Sequence, residues 1–366
     1  ANVYLENSRY KLKTPTSVNE LLPGQYQITL RLNGYRSWTH PVSIVEGKAA
    51  AFKNILLIPR QMDPTMLFPD FTFQELSVFP DTDYIIVKKD SRFEDTYLLN
   101  WKKENLSSLS DDNALYGDFS IASLYPQKKG HSAVIYGGSL WAKKFYLINF
   151  ENKEQGIMDV TKLFSNGKPS QLIWNTEGEN NCFAVYEDYI DCLDFKKMAL
   201  YPKIIEGAKG FGISGKWLYI LEKNNQISKM TMDEKPRITL FKDSYPDKDL
   251  FTKSRFYNIE VLRNDILLFF GDGGDLVTMG PPQDVSCDGV VGFDFYKRNK
   301  QLLYWTKDTI WIADLNKEAA KDTFFFDELP LQKVYGSGTN ISQCFWADDG
   351  THVVFNDQGK VFLLEL

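Results

Sequence analysis

The sequence predicts an all-β chain in which a small β-module precedes a ring of seven four-stranded repeats. Three observations carry this reading. In PGQYQITLRLNGYRSW, Pro23 to Trp38, the residues Tyr26, Ile28, Leu30 and Leu32 alternate with Gln25, Gln27, Thr29 and Arg31. That period of two marks an antiparallel strand with one dry face. From Phe73 onward one layout recurs: a strand ending near an aromatic, a turn, and two further strands joined by a second turn. Finally, the chain has 366 residues, of which 14% are aromatic, so it exceeds one ordinary core and can pack several.

In chain order, the module opens with a strand at Val3 to Leu5, followed by a polar turn and Thr14-Pro15. The alternating strand enters through Pro23-Gly24 and leaves through Asn33-Gly34, where Gly relieves a tight turn. Further strands are expected at Pro41 to Val45 and Ala51 to Ile58, with Tyr26, Ile28, Leu30, Tyr35 and Trp38 building a small core. The set Thr14-Pro15, Leu22-Pro23-Gly24-Gln25-Tyr26, Gly34-Tyr35, Trp38 and Glu46-Gly47 resembles the PEGA domain. That resemblance implies an extracytoplasmic β-sandwich-like module of bacteria and archaea that serves as a spacer or adhesion unit close to a membrane anchor. We therefore expect residues 1–60 to form this module and residues 61–366 to form the ring it presents.

The repeat is clearest at the end, in SQCFWADDGTHVVFNDQGKVFLLEL from Ser342. It recurs from Phe293, Leu172, Gly210, Asn258, Phe119 and Phe73, roughly 35 to 51 residues apart, the spacing of propeller blades. The last copy stops on its third strand, so a strand near Met62 to Phe68 is expected to complete it and close the ring. This layout of aromatic, Asp-Gly turn and paired strands resembles TolB-like and WD40-like β-propellers. The likeness implies a seven-bladed propeller and no particular activity.

Charge and motifs narrow the function. Lys and Arg number 42 against 48 Asp and Glu, a formal charge of -6, which disfavours nucleic acid as a partner. The four cysteines lack zinc spacing, and no metal or other cofactor is expected. His40, His131 and His352 fall in separate units, and G-x-S-x-G, H-E-x-x-H and P-loop patterns do not occur. GDGGD at Gly271 to Asp275 and DDG at Asp348 to Gly350 read as hairpin turns rather than cation loops. Cys182 and Cys192 flank one hairpin: a two-residue loop sets their sulfurs on opposite faces, a three-residue loop face to face.

Apolar runs such as Ile55 to Ile58 are too short to span a bilayer. The start at Ala1 has a trimmed look, and any membrane link is expected from an anchor upstream of it. In a propeller, the loops joining second to third strands share a face with the blade-to-blade links, where binding residues collect. The candidates are Arg92, Phe93 and Trp141 in such loops, with Tyr116, Tyr245 and Tyr335 in the links. The resulting expectation is a non-catalytic extracytoplasmic interaction or scaffold protein of the cell envelope, taking a protein or glycan on this face. The alternative is a propeller enzyme that cleaves envelope polysaccharide with a carboxylate pair.

Overall fold

The structure is a computed structural model. It describes the chain except residues 53–54, 80–81, 91, 110–118, 128–131, 140–141, 150–156, 165, 176–180, 233–237, 241–249, 264–265, 280–284, 297–300, 315–331, 337–338 and 348, and except the side chains of Phe93, Arg263, Ile266, Val285, Ser286, Cys287, Asp314 and Gln332. The fold is an N-terminal β-module followed by a β-propeller.

The module is one antiparallel sheet of strands Asn2–Leu5, Ser8–Lys13, Gly24–Arg31 and Trp38–Ile44, in the order second, first, third, fourth. Its register sets Val3 opposite Leu30 and Leu30 opposite Trp38. These three therefore share one face and form its buried core, with Ile28 packed beside them. Gly34 follows the third strand at φ 84°, a conformation that suits a residue without Cβ. Leu32 lies past the strand end and is exposed.

Two segments differ from the sequence expectation. Ser8–Lys13, expected as a polar turn, is an edge strand. Nearly all of it is wet, so no alternation betrays it, and its lysines suit an unpaired edge. Ala51 to Ile58, expected as a strand, forms none among the described residues. It is a linker whose side chains divide between two cores: Phe52, Ile55 and Leu57 pack on the module, Leu56 and Ile58 on the propeller. Backbone bonds from Arg36 N–H to the Ile58 carbonyl (2.8 Å) and from Arg60 N–H to the Gly34 carbonyl (2.9 Å) hold it.

Among the described residues, the propeller comprises seven four-stranded antiparallel units, at residues 75–108, 120–159, 171–206, 208–239, 257–287, 292–336 and 341–365, here blades one to seven. Each sequence copy maps onto one of them. Blade seven takes its fourth strand from Thr65–Leu67, which pairs antiparallel with Lys360–Glu365 through Val361 with Leu67, Phe362 with Met66 and Leu363 with Thr65. Blades four and five join further by a parallel pairing of first strands, Gly210 with Tyr257 and Phe211 with Asn258. A Cβ on Gly212 would collide with the Ile259 carbonyl, so this approach requires glycine.

Seven buried clusters fill the seven junctions between neighbouring blades, including one between blade seven and blade one. The second strand of each blade is the common wall of two junctions. In Asn181–Val185, Cys182 and Ala184 pack toward blade two, while Phe183 and Val185 pack toward blade four. Such strands are apolar on both faces, so runs like NCFAV and HVVF lose the alternation of a half-wet strand. The same geometry decides the cysteines. Cys182 pairs with Leu193 and Phe183 with Cys192, the register of a two-residue loop, which places the two buried free thiols in different junctions.

Candidate functional site

On the face bearing the second-to-third-strand loops and the blade-to-blade links, short polar side chains in blades five and seven tie the incoming segment to a loop. In blade five, GDGGD forms a tight hairpin in which Gly271 N–H donates to the Asp275 carbonyl (2.8 Å) and Gly274 N–H to the Gly271 carbonyl (3.0 Å). The buried Asp275 carboxylate then accepts from the Ser254 hydroxyl and, at 2.6 Å, from the Tyr257 hydroxyl. Both its oxygens are thus occupied by the incoming link. Burial, followed by the bond to Asp275, pushes the Tyr257 phenol well above its ordinary range. Blade seven repeats the device, with Asp357 accepting from the Thr339 hydroxyl and from Asn340 N–H (3.0 Å).

Neighbouring loops also join one another. Lys223 in the blade-four loop pairs with Asp188 in the blade-three loop at 2.8 Å, and Lys253 pairs with Asp288 across blade five. The Lys223 bond holds the Asp188 carboxyl below its usual range. No group of three or more His, Cys, Asp or Glu among the described residues is placed to hold a metal ion.

On this face, a groove of about 650 Å³ opens where the blade-two to blade-three link meets the blade-three loop. It is lined by Lys168, Pro169 and Ser170 from the link and by Tyr186, Glu187, Asp188 and Tyr189 from the loop. The local fold explains the arrangement. Val185 pairs with Ile190, and Tyr186 N–H donates to the Tyr189 carbonyl at 2.9 Å, so Glu187 and Asp188 form a two-residue tip. The two tyrosines flanking that tip emerge side by side and stack, centroids 4.9 Å apart and planes at 26°.

Tyr186 is half-buried and donates its hydroxyl to the Gly167 carbonyl at 3.4 Å. Burial pushes its phenol well above the ordinary range, and burial with the nearby Asp191 raises Tyr189. Both rings therefore stay neutral in ordinary buffers. Two residues on from Tyr189, Asp191 is buried and accepts from Lys203 N–H (2.7 Å) and the Asn166 amide (3.2 Å), which ties the hairpin to its neighbours. Glu187 and Lys168 are exposed and form no ion pair among the described residues; the Lys168 ammonium lies 5.5 Å from the Tyr136 ring centroid.

Arg92, Phe93 and Tyr335, expected from the sequence, do not line this groove. Arg92 is exposed in the blade-one loop, bound to Glu94 at 2.8 Å and Asp95 at 3.0 Å, with its backbone bridged to Ser120 at the start of blade two. Phe93 begins a short 3-10 turn, Phe93–Asp95, and its side chain lies outside the described residues. Trp141, Tyr116 and Tyr245 also lie outside the described residues. Tyr335 sits on the fourth strand of blade six rather than in a link, half-buried with its ring 4.7 Å from that of Phe355. It packs there because its strand borders the junction with blade seven.

Beside Arg92, Lys89 lies 3.8 Å from the centroid of Phe71 and 4.8 Å from that of Tyr97, a second aromatic corner on the loop face. Neither that corner nor the Tyr186–Tyr189 pair was legible as a site. The available signal was YEDY itself, two aromatics flanking an acidic hairpin tip, which sequence reasoning used only to judge cysteine register.

Residues 1–56 match the PEGA domain. No curated protein matches the chain. Among solved structures the chain is similar to PorZ, described as an essential bacterial surface component of the type-IX secretion system of Porphyromonas gingivalis, with a TM-score of 0.54 and 10% identity. That similarity covers 83% of this chain and 38% of PorZ. The chain is also similar to one from a mitotic checkpoint complex, with a TM-score of 0.55 and 11% identity over 89% of this chain and 99% of the other. The C-terminal WD40 domain of Sif2 is similar at a TM-score of 0.49, with 11% identity over 83% of this chain and 98% of that one. At such identities the likeness is one of fold.

Proposed function

We propose that the protein is a non-catalytic binding protein of the cell envelope, which takes a protein or glycan on the propeller face carrying the loops and links. The observation that carries this reading is the groove beside blade three, which a stacked tyrosine pair lines together with the exposed Glu187 carboxylate and the exposed Lys168 ammonium. Its volume is within the range of roughly 300–1,000 Å³ common to ligand sites. The PEGA match at residues 1–56 supports an extracytoplasmic setting, as does the surface location of PorZ given in its description. No helix among the described residues is long and apolar enough to cross a membrane. Arg92, Phe93 and the loop carrying Trp141 belong to the same proposed face.

The test is capture from envelope extract by the intact protein, by Tyr189→Ala with Glu187→Ala, and by Arg92→Ala, with parallel assays for product release from polysaccharides and peptides. Specific capture that is lost in one of these variants, without turnover, is the expected result. Steady product release by the intact protein would overturn the non-catalytic reading, and capture unchanged in every variant would overturn this face.

A further inference from the structure

We infer that the blade-three groove takes a neutral saccharide, an inference that rests on the binding reading above and names the ligand class for that site. The argument is one of matching hydrogen-bonding capacity and charge. Tyr189, stacked on Tyr186 and with the Lys203 ammonium 5.5 Å from its ring centroid, presents a hydroxyl that bonds to no described residue; the exposed Glu187 carboxylate offers acceptors, and the exposed Lys168 ammonium, 5.5 Å from the Tyr136 ring centroid, offers donors. A guest that uses all three must donate and accept hydrogen bonds and also lay an apolar patch on an aromatic ring. Sugar rings do this, because each hydroxyl is both donor and acceptor and the C–H face is apolar.

Other guests satisfy fewer of these groups. A basic segment would meet Lys168 and also Lys203, which stands 5.5 Å from the Tyr189 centroid. An acidic one would meet Glu187. A proline-rich peptide suits aromatic grooves, but it brings only acceptors and would leave Glu187 unanswered. Nor does the site carry a strong field of one sign: Asp188 is neutralised by Lys223, and Lys203 lies 3.8 Å from Glu206. The groove has its shape before any guest arrives. Tyr186 is bonded to the Gly167 carbonyl, and Ser170 donates to the Val185 carbonyl at 2.9 Å, so little ordering is lost on binding.

The experiment is calorimetric titration of the full chain with chitotetraose, maltotetraose and cellotetraose, with tetragalacturonate and a proline decamer as contrasting probes. At least one neutral tetrasaccharide is expected to bind. Tyr189→Ala should then weaken it by about tenfold or more, and Tyr189→Phe and Glu187→Gln by about threefold each, while Lys11→Ala, exposed on the edge strand of the module, leaves it unchanged. Tyr189→Phe keeps the stacked ring, so its effect reads the hydroxyl even if Tyr189→Ala disturbs the hairpin. Absence of binding by all three neutral probes at millimolar concentration, or binding indifferent to every groove variant, would overturn the inference. Tyr189-dependent binding of the proline decamer alone would overturn the saccharide and leave the binding reading standing. Hydrolysis of a bound tetrasaccharide would instead overturn the non-catalytic reading.

Discussion

Gln343 and Leu76 face each other across the seam between the last blade and the first. The Gln343 amide donates to the Leu76 carbonyl at 2.8 Å, and its oxygen accepts from Leu76 N–H at 2.6 Å. One side chain thus replaces a strand neighbour for a backbone whose own side chain is buried. Together with Thr65–Leu67 on blade seven and the shared cluster of Leu67, Leu76, Val354 and Val361, it seals the ring.

Replacing Gln343 with Ala should leave both Leu76 backbone groups without a partner. A cost of about 2 kcal/mol is expected, since buried polar groups lose more when orphaned than the bond itself contributes. Urea unfolding measures it, and hydrogen exchange should quicken at Leu76 before it does in blades three to five.

Asp275→Ala should be among the more damaging single changes in the propeller. It strands the Ser254 and Tyr257 hydroxyls in a buried site, at an expected cost of about 3 kcal/mol. Asp275→Asn retains an acceptor and should cost less. Thermal unfolding of the two variants would give this order; equal losses would show that one amide oxygen cannot replace the two carboxylate acceptors.

Asp159 carries an acid-sensitive contribution. Hydrogen bonds from Thr161 first, and then the Lys144 ammonium at 2.9 Å, lower its pKa to about 2. A folded pKa below the unfolded value of about 3.9 means stability that is fully present above pH 4 and lost as pH falls through about 2. The pair is largely exposed, so screening by solvent keeps its contribution small. Asp159→Asn should flatten that part of the stability profile between about pH 4 and pH 2 at low salt.

Trp38 and Ile58 test the joint between module and propeller. Trp38→Ala removes the largest side chain of the module core and should cost about 3–5 kcal/mol there. Ile58, 1% exposed, packs with Ile341, Trp346 and Leu364; its replacement by Ala should cost about 2–4 kcal/mol in blades six and seven. Residue-resolved hydrogen exchange is expected to place the first loss in the module and the second in the propeller. If both variants loosen the whole chain equally, the linker makes the two parts one cooperative unit.

Local pattern was sufficient for much of the fold. Alternation along Gly24–Arg31, the PEGA-like turns and the recurring strand-turn-strand layout determined the all-β class and the position of each repeat, because these signals arise from neighbours a few residues apart. Ser8–Lys13 escaped notice because a strand wet on both faces has no period to read. Only the tertiary structure decided which sheets share a junction, and with it the separation of Cys182 from Cys192 and the division of Leu57 and Ile58 between two cores. It likewise decided the groove, which brings Lys168 to Tyr189 by docking a link against a hairpin tip. The physical reason is range: strand periodicity is written within single segments, whereas a binding surface arises where segments distant along the chain are packed together by burial.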